Sequence, residues 1–205
     1  MPLVLSFLGG YLLGSIPFGY LIVKYQTNQD IRSTGSGNVG GFNAFRVTNS
    51  LFVGWMVGLL DGAKGITTVW LATKFFGGEF WPMAIGLSGA VVGHMFPVWL
   101  RFKGGRGLAT ACGGLFLIGM IYTIVWCTIW IAAKARYKEI LMANILATIL
   151  APIALLVFPP DWISALLVAN STPNEFLALI GILTCLFLIS HRDGFQLFWQ
   201  EGRAS

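Results

Sequence analysis

The chain has 205 residues, of which 56% are hydrophobic and 10% charged. Soluble domains carry about 25% charged residues, so this chain has too few polar groups to cover a water-facing surface. Intrinsic disorder needs low hydrophobicity and high charge and is excluded as well. The apolar stretches also lack the period-two alternation of membrane barrels, which leaves an all-α polytopic membrane protein. The balance of 13 Lys+Arg against 8 Asp+Glu, a net charge of +5, reads first as topology and second as attraction for anions.

The first uncharged stretch, 2–23, is predicted to be one helix. It has neither a basic n-region nor a cleavage signal, so it is not read as a signal peptide. The second stretch, 47–73, is broken only by Asp61 and Lys64. Stretches 80–100, 107–133 and 140–160 follow, each near the roughly 20 apolar residues that a span needs. The last, about 173–190, opens with Thr172-Pro173-Asn174-Glu175, a capping box with proline in the first helical position. Stretch 107–133 fits either one long helix or two short ones turning near Gly119. With the N-terminus outside and two short helices, eleven of the 13 Lys+Arg fall inside, Lys74 alone lies outside, and Lys64 sits within a helix. The positive-inside rule selects that arrangement. The expectation is seven transmembrane segments, the fourth and fifth short, with the N-terminus outside and the C-terminus cytoplasmic. Residues 1–205 form a single domain on this reading. Cys112, Cys127 and Cys185 are expected as small core hydrophobes, since their spacing fits no disulfide framework or zinc site.

Under this topology the unusual residues share the cytoplasmic face. The first loop, 33–46, carries Gly35, Gly37, Gly40 and Gly41 interleaved with Ser36, Asn38, Asn43 and Arg46. Glycines allow close backbone approach, and successive N–H groups in such turns form an anion-binding nest. The second loop, 93–110, contains Lys103-Gly104-Gly105-Arg106-Gly107 where a helix begins. Free N–H groups, a helix dipole and two cations make a phosphate site. Topological anchoring alone would not need three glycines. Asp61 and Lys64, three residues apart on one helix face, read as a mutually neutralising structural pair. Gly62 and Gly65 beside them permit close helix contact. His94 and His191 fall at the inner ends of their helices. There is no H-E-x-x-H, no Cys/His metal cluster, no G-x-S-x-G elbow and no Walker A, and neither histidine is followed by aspartate four residues later.

Three segments carry a family resemblance. They are Gly14-Ser15-Ile16-Pro17-Phe18-Gly19-Tyr20, Ser36-Gly37-Asn38-Val39-Gly40 with Asn43 and Arg46, and Gly93-His94 through Pro97 to Phe102-Lys103-Gly104-Gly105-Arg106-Gly107-Leu108-Ala109-Thr110. With Asp61-Gly62-Ala63-Lys64-Gly65 and the terminal His191-Arg192, the chain resembles the bacterial PlsY family of membrane acyl-phosphate:glycerol-3-phosphate acyltransferases from about residue 9 to 193. It departs from the family pattern at Phe42, usually threonine, at Arg106, usually lysine, and at Gly194, usually asparagine.

The resemblance implies acyl transfer from acyl-phosphate to the 1-hydroxyl of sn-glycerol 3-phosphate, giving lysophosphatidate and phosphate, the first step of phospholipid synthesis. It implies that Ser36, Asn38, Arg46, Lys103 and His191 bind glycerol 3-phosphate. Gly104, Gly105, Arg106 and Gly107 would hold the acyl-phosphate, with Asn43, His94, Asp61 and Lys64 in support. No nucleophile, metal or cofactor is expected, so attack would be direct. The expected partners are the two substrates and the lipid bilayer, without nucleic acid, for a monomer in the bacterial cytoplasmic membrane. The rival reading is a transporter of phosphate or another organic anion, which broken helices would suit.

Overall fold

The computed structural model describes residues 1–192, so Asp193, Gly194 and Arg203 lie outside the described residues. The chain forms two compact units, divided between Ile118 and Gly119. Ten α-helices and two short 3-10 turns account for the regular structure of the described residues; one isolated bridge pairs Gly119 with Leu167.

The first unit opens with α1 (Pro2–Gly14) and α2 (Phe18–Thr27). The sequence suggested one helix here, but Ser15-Ile16-Pro17 interrupts it. Proline lacks an N–H and disfavours helical backbone at the residue before it. The interruption leaves carbonyls at the end of α1 without intrahelical donors. A 3-10 turn (Ile31–Ser33) and α3 (Gly41–Thr48) follow. The segment read as a loop is therefore helical from Gly41, and Asn43 and Arg46 are helix residues. Helix α4 (Leu51–Phe75) is 25 residues long, about 37 Å at 1.5 Å per residue, enough to cross a ~30 Å hydrocarbon core. Then come α5 (Phe80–Met95), a 3-10 turn (Val98–Leu100) after Pro97, and α6 (Leu108–Ile118).

Glycines let these helices meet backbone to backbone. A Cβ on Gly10 or Gly14 of α1 would overlap the carbonyls of Gly86 or Ala90 on α5, and one on Gly93 would overlap that of Tyr11. Helices α4 and α6 meet likewise through Gly65 against Thr110 and Gly113 against Gly62. Small residues at four-residue spacing are the usual means of close packing in lipid, where burial of apolar surface drives nothing.

The second unit holds α7 (Ile121–Tyr137), α8 (Ile140–Val157), α9 (Pro160–Ala165) and α10 (Pro173–Ser190). The stretch 107–133 does break at Gly119-Met120, into an 11-residue α6 and a 17-residue α7. Helix α6, about 16 Å long, cannot cross the bilayer alone, whereas α7 at about 25 Å nearly does. The segment after α8, read as a plain loop, contains α9. Trp130 Nε1 donates to Asn144 Oδ1 at 2.7 Å and Trp126 Nε1 to Thr148 Oγ1 at 3.4 Å, polar ties between α7 and α8. The capping box forms as expected, with Thr172 N donating to Glu175 Oε2 at 2.9 Å. The three cysteines sit on exposed helix surfaces rather than in the core. A small apolar thiol suits a lipid-facing surface as well as an interior.

Four segments of the described residues are long and apolar enough to cross a membrane: Pro2–Thr27, Phe80–Leu100, Ile140–Val157 and Pro173–Ser190.

Candidate active site

The polar centre of the first unit forms around the break between α1 and α2. Lys64 Nζ donates to Gly14 O and Ile16 O, each at 3.0 Å, and lies 2.8 Å from Asp61 Oδ1. An ammonium has three protons, and with His94 Nδ1 also within 3.2 Å four partners share them. Asp61 and Lys64 are both buried, so the structural pair read from the sequence is also the clamp of a broken helix. His94, likewise buried, places Nδ1 3.2 Å from Lys64 Nζ, 3.4 Å from Thr110 Oγ1 and 3.6 Å from Asp61 Oδ1.

The glycine loop lies directly on this centre. Gly104 N donates to Met95 O and Gly105 N to His94 O, both at 3.0 Å. These two N–H groups, expected to face a phosphate, thus cap the end of α5 instead. The donors left for an anion sit farther along. Ala111 N bonds to Gly107 O at 2.9 Å, and helix geometry leaves the N–H groups of Leu108, Ala109 and Thr110 without intrahelical acceptors. Gly107 (φ +78°) makes the bend, and a Cβ there would press on Val91. Just before the loop, Arg101 and Phe102 both adopt left-handed backbone, with φ of 54° and 61°. That conformation is unfavourable for such side chains, by about 1–2 kcal/mol each. It is held by Phe102 N to Pro97 O at 3.0 Å and Lys103 N to Leu100 O at 3.2 Å. The result lifts the Lys103 side chain to the surface.

The first loop is built around Asn43, which is buried on α3. Its Oδ1 accepts from Ser36 N at 2.9 Å, and its Nδ2 reaches the carbonyls of Ile31, Thr34 and Asn38 at 2.9–3.1 Å. Asn38 Oδ1 accepts from Gly40 N at 2.9 Å, an Asx turn that opens α3. Gly35 and Gly37 are left-handed, with φ of 65° and 72°. Ser36 and Arg46 are exposed, and the Arg46 guanidinium lies over the Phe42 ring at 5.7 Å.

Two contacts hold the loops together. Arg32 Nη1 donates to Leu100 O at 3.1 Å, while its other nitrogens grip the Asp30 carboxylate. Leu100 also shares a buried cluster with Ile31, Val39, Ala44, Val53 and Val57. Ser36, Asn38, Asn43 and Arg46 therefore belong to one end of the first unit, with Lys103–Gly107, His94 and the Asp61–Lys64 pair. His191 belongs to the second unit. There it is buried at the end of α10, with Nδ1 2.7 Å from Phe187 O. That bond places a proton on Nδ1, since a carbonyl can only accept.

A family model described as glycerol-3-phosphate acyltransferase matches residues 4–201. The chain belongs to that family. Glycerol-3-phosphate acyltransferase from Bradyrhizobium sp. (strain BTAi1) is 37% identical over 191 residues, covering 91% of this chain and 86% of the relative. That from Ehrlichia chaffeensis is 42% identical over 148 residues, 72% and 73% of the two chains. A crystal structure of PlsY (YgiH), an integral membrane glycerol 3-phosphate acyltransferase in its glycerol 3-phosphate form, superposes with a TM-score of 0.79 at 31% identity. It covers 98% of this chain and 94% of that one. Its lysophosphatidic acid form gives a TM-score of 0.78. The resemblance read from the motifs thus holds for the whole chain, and phospholipid synthesis follows from the family.

Sequence reasoning missed two residues that hold this candidate site together. Arg32, counted only as a topological charge, ties the loops together with Asp30 as its anchor. Trp99 donates Nε1 to Ser15 Oγ at 2.9 Å and so fastens the second loop to the helix break. An aspartate two residues before an arginine outside any helix was the available signal for the first. Nothing in the sequence pointed to the second. Arg32 holds the Asp30 carboxyl below the usual carboxylate range, chiefly by its side-chain hydrogen bonds and against a smaller opposing effect of burial.

Proposed function

We propose that this acyltransferase moves a fatty acyl group from acyl-phosphate to the 1-hydroxyl of sn-glycerol 3-phosphate, releasing lysophosphatidate and inorganic phosphate. The observation that carries the reading is the pairing of two glycine-rich loops at one end of the first unit, joined through Arg32 and Leu100. Each loop leads into a helix, and each brings cations. Two phosphate-bearing substrates repel one another, and adjacent cationic sites hold them together at the reacting distance. The glycerol 3-phosphate and lysophosphatidic acid forms of PlsY lend support from a relative.

In this reading Lys103 and Arg46 bind the glycerol phosphate, with Ser36 and Asn38 orienting it. Arg106, with the N–H groups that open α6, holds the acyl-phosphate. Gly104, Gly105 and Gly107 shape the turn that allows its approach, and Asn43, His94, Asp61 and Lys64 support the two loops. The glycerol hydroxyl oxygen attacks the acyl carbon, and the bond from that carbon to the phosphate oxygen breaks. The departing phosphate takes the hydroxyl proton, so neither an acyl-enzyme nor a separate base is required. The chain works as one domain of seven spans in the bacterial cytoplasmic membrane. Its N-terminus lies outside, its C-terminus and both loops lie inside, and it needs no partner protein, nucleic acid, metal or cofactor.

The anion-transporter reading rests on the Asp61–Lys64 pair and the interrupted stretch 107–133, to which the break at Ser15-Ile16-Pro17 adds. Against it, Lys64 Nζ is already surrounded by Gly14 O, Ile16 O, Asp61 Oδ1 and His94 Nδ1, more partners than it has protons. Purified protein in liposomes with palmitoyl-phosphate and glycerol 3-phosphate tests the proposal. Equal amounts of lysophosphatidate and phosphate are expected. Phosphate flux across the liposome without acyl transfer would overturn it.

A further inference from the structure

The glycine loop is shaped by one side chain beneath it. The His94 ring is fixed on its Nδ1 side by Lys64 and Thr110, at 3.2 and 3.4 Å. Lys64 is fixed in turn by Gly14 O, Ile16 O and Asp61. The opposite edge of the ring faces Gly105. A Cβ on Gly105 would overlap Nε2 and come within 2.9 Å of Cδ2 and 3.1 Å of Cε1. The same histidine accepts the Gly105 N–H through its backbone carbonyl at 3.0 Å. Gly105 therefore lies flat against both the ring and the carbonyl of His94. Lys103 and Arg106, the cations on either side of this glycine pair, leave the loop from positions that His94 sets.

We infer that His94 is a positioning residue for the Lys103–Gly107 loop. Its ring, locked by the Asp61–Lys64 pair, is the template that places Arg106 and the α6 N-terminus for the donor's phosphate. This rests on the proposed acyl-phosphate reading of the loop. His94 is buried beneath the loop and acts through it. Removing its ring changes how well the loop is preset and not the charge presented to the donor.

The test uses the full chain in lipid nanodiscs as wild type, His94→Ala, Gly105→Ala and the double variant. Hydrogen exchange across residues 103–107 reports the loop without reference to activity. Steady-state kinetics with palmitoyl-phosphate reports donor binding. Each single variant is expected to raise KM for the donor about ten-fold with kcat within about three-fold, because both disturb one shared contact. In the His94→Ala background, Gly105→Ala is expected to add less than about two-fold, since the ring it would strike is gone. Exchange at Gly104 and Gly105 is expected to accelerate in His94→Ala while the middle of α5 stays protected. Where His94→Ala fails to fold, His94→Asn carries the same prediction, since it also removes the ring edge. Multiplying effects in the double variant, or unchanged loop exchange without the ring, would overturn the inference. A wild type inactive toward acyl-phosphate would remove the proposed function, while the exchange result would still decide the template role.

Discussion

Replacing Lys64 with methionine removes the side chain that joins Asp61 to the broken end of α1. The substitution leaves a carboxylate 3% exposed beside Gly14 and Ile16 carbonyls that have lost their donor. Removing one member of a buried ion pair costs about 3–5 kcal/mol, mostly because the other charge stays behind. A chain of this size loses about 2–4 °C in Tm per kcal/mol, so Lys64→Met is expected to melt roughly 10–15 °C lower. Pairing it with Asp61→Leu removes the stranded charge and is expected to recover about half of the loss, the carbonyls still being unmet. Tryptophan fluorescence melts in one detergent, at one pH, would measure both. A Lys64→Met protein melting within about 2 °C of wild type would refute the clamp. A double variant no better than the single would show that the carboxylate was never the main liability.

Gly14→Ala would force a Cβ into the Ala90 carbonyl and is expected to destabilise by about 2–3 kcal/mol, read by the same melts. Gly9→Ala on the same helix meets nothing within 4 Å and is expected to be neutral or to gain up to about 1 kcal/mol. Asn43→Ala is expected to raise KM for glycerol 3-phosphate at least about ten-fold, since four backbone groups of the first loop lose their partner. Asp30 titrates below its ordinary range when folded, so its contribution is full above about pH 4 and fades as pH falls through the folded value. The pair is partly exposed and contributes at most about 1 kcal/mol. Asp30→Asn is expected to flatten the acid limb of Tm against pH by that amount and leave neutral pH little changed.

Four apolar spans and the two glycine-rich loops were legible because both rest on composition and local motif. Hydropathy located the long helices, and the charge count located the break at Gly119 that separates α6 from α7. The capping box at Thr172 is local in sequence and was readable for that reason. The interruption at Pro17 was less visible, since hydropathy runs through it without a dip. Asn43 stood inside a motif, but its role as the hub of the first loop depends on carbonyls up to twelve residues away. The direction of the Gly104 and Gly105 N–H groups was illegible for the same reason. Their acceptors on α5 are a property of the folded loop, and a glycine motif shows only that backbone approach is possible. The union of Lys64 with Gly14 and Ile16 joins residues about fifty apart, and no local pattern encodes it.

The most direct test of the central claim is a donor comparison. Purified protein is given glycerol 3-phosphate with either palmitoyl-phosphate or palmitoyl-CoA, and lysophosphatidate and phosphate are followed together. Product is expected from the acyl-phosphate alone, one phosphate per lipid, and is lost in a folded Lys103→Ala protein. Product from palmitoyl-CoA, or undiminished turnover by Lys103→Ala, would contradict it.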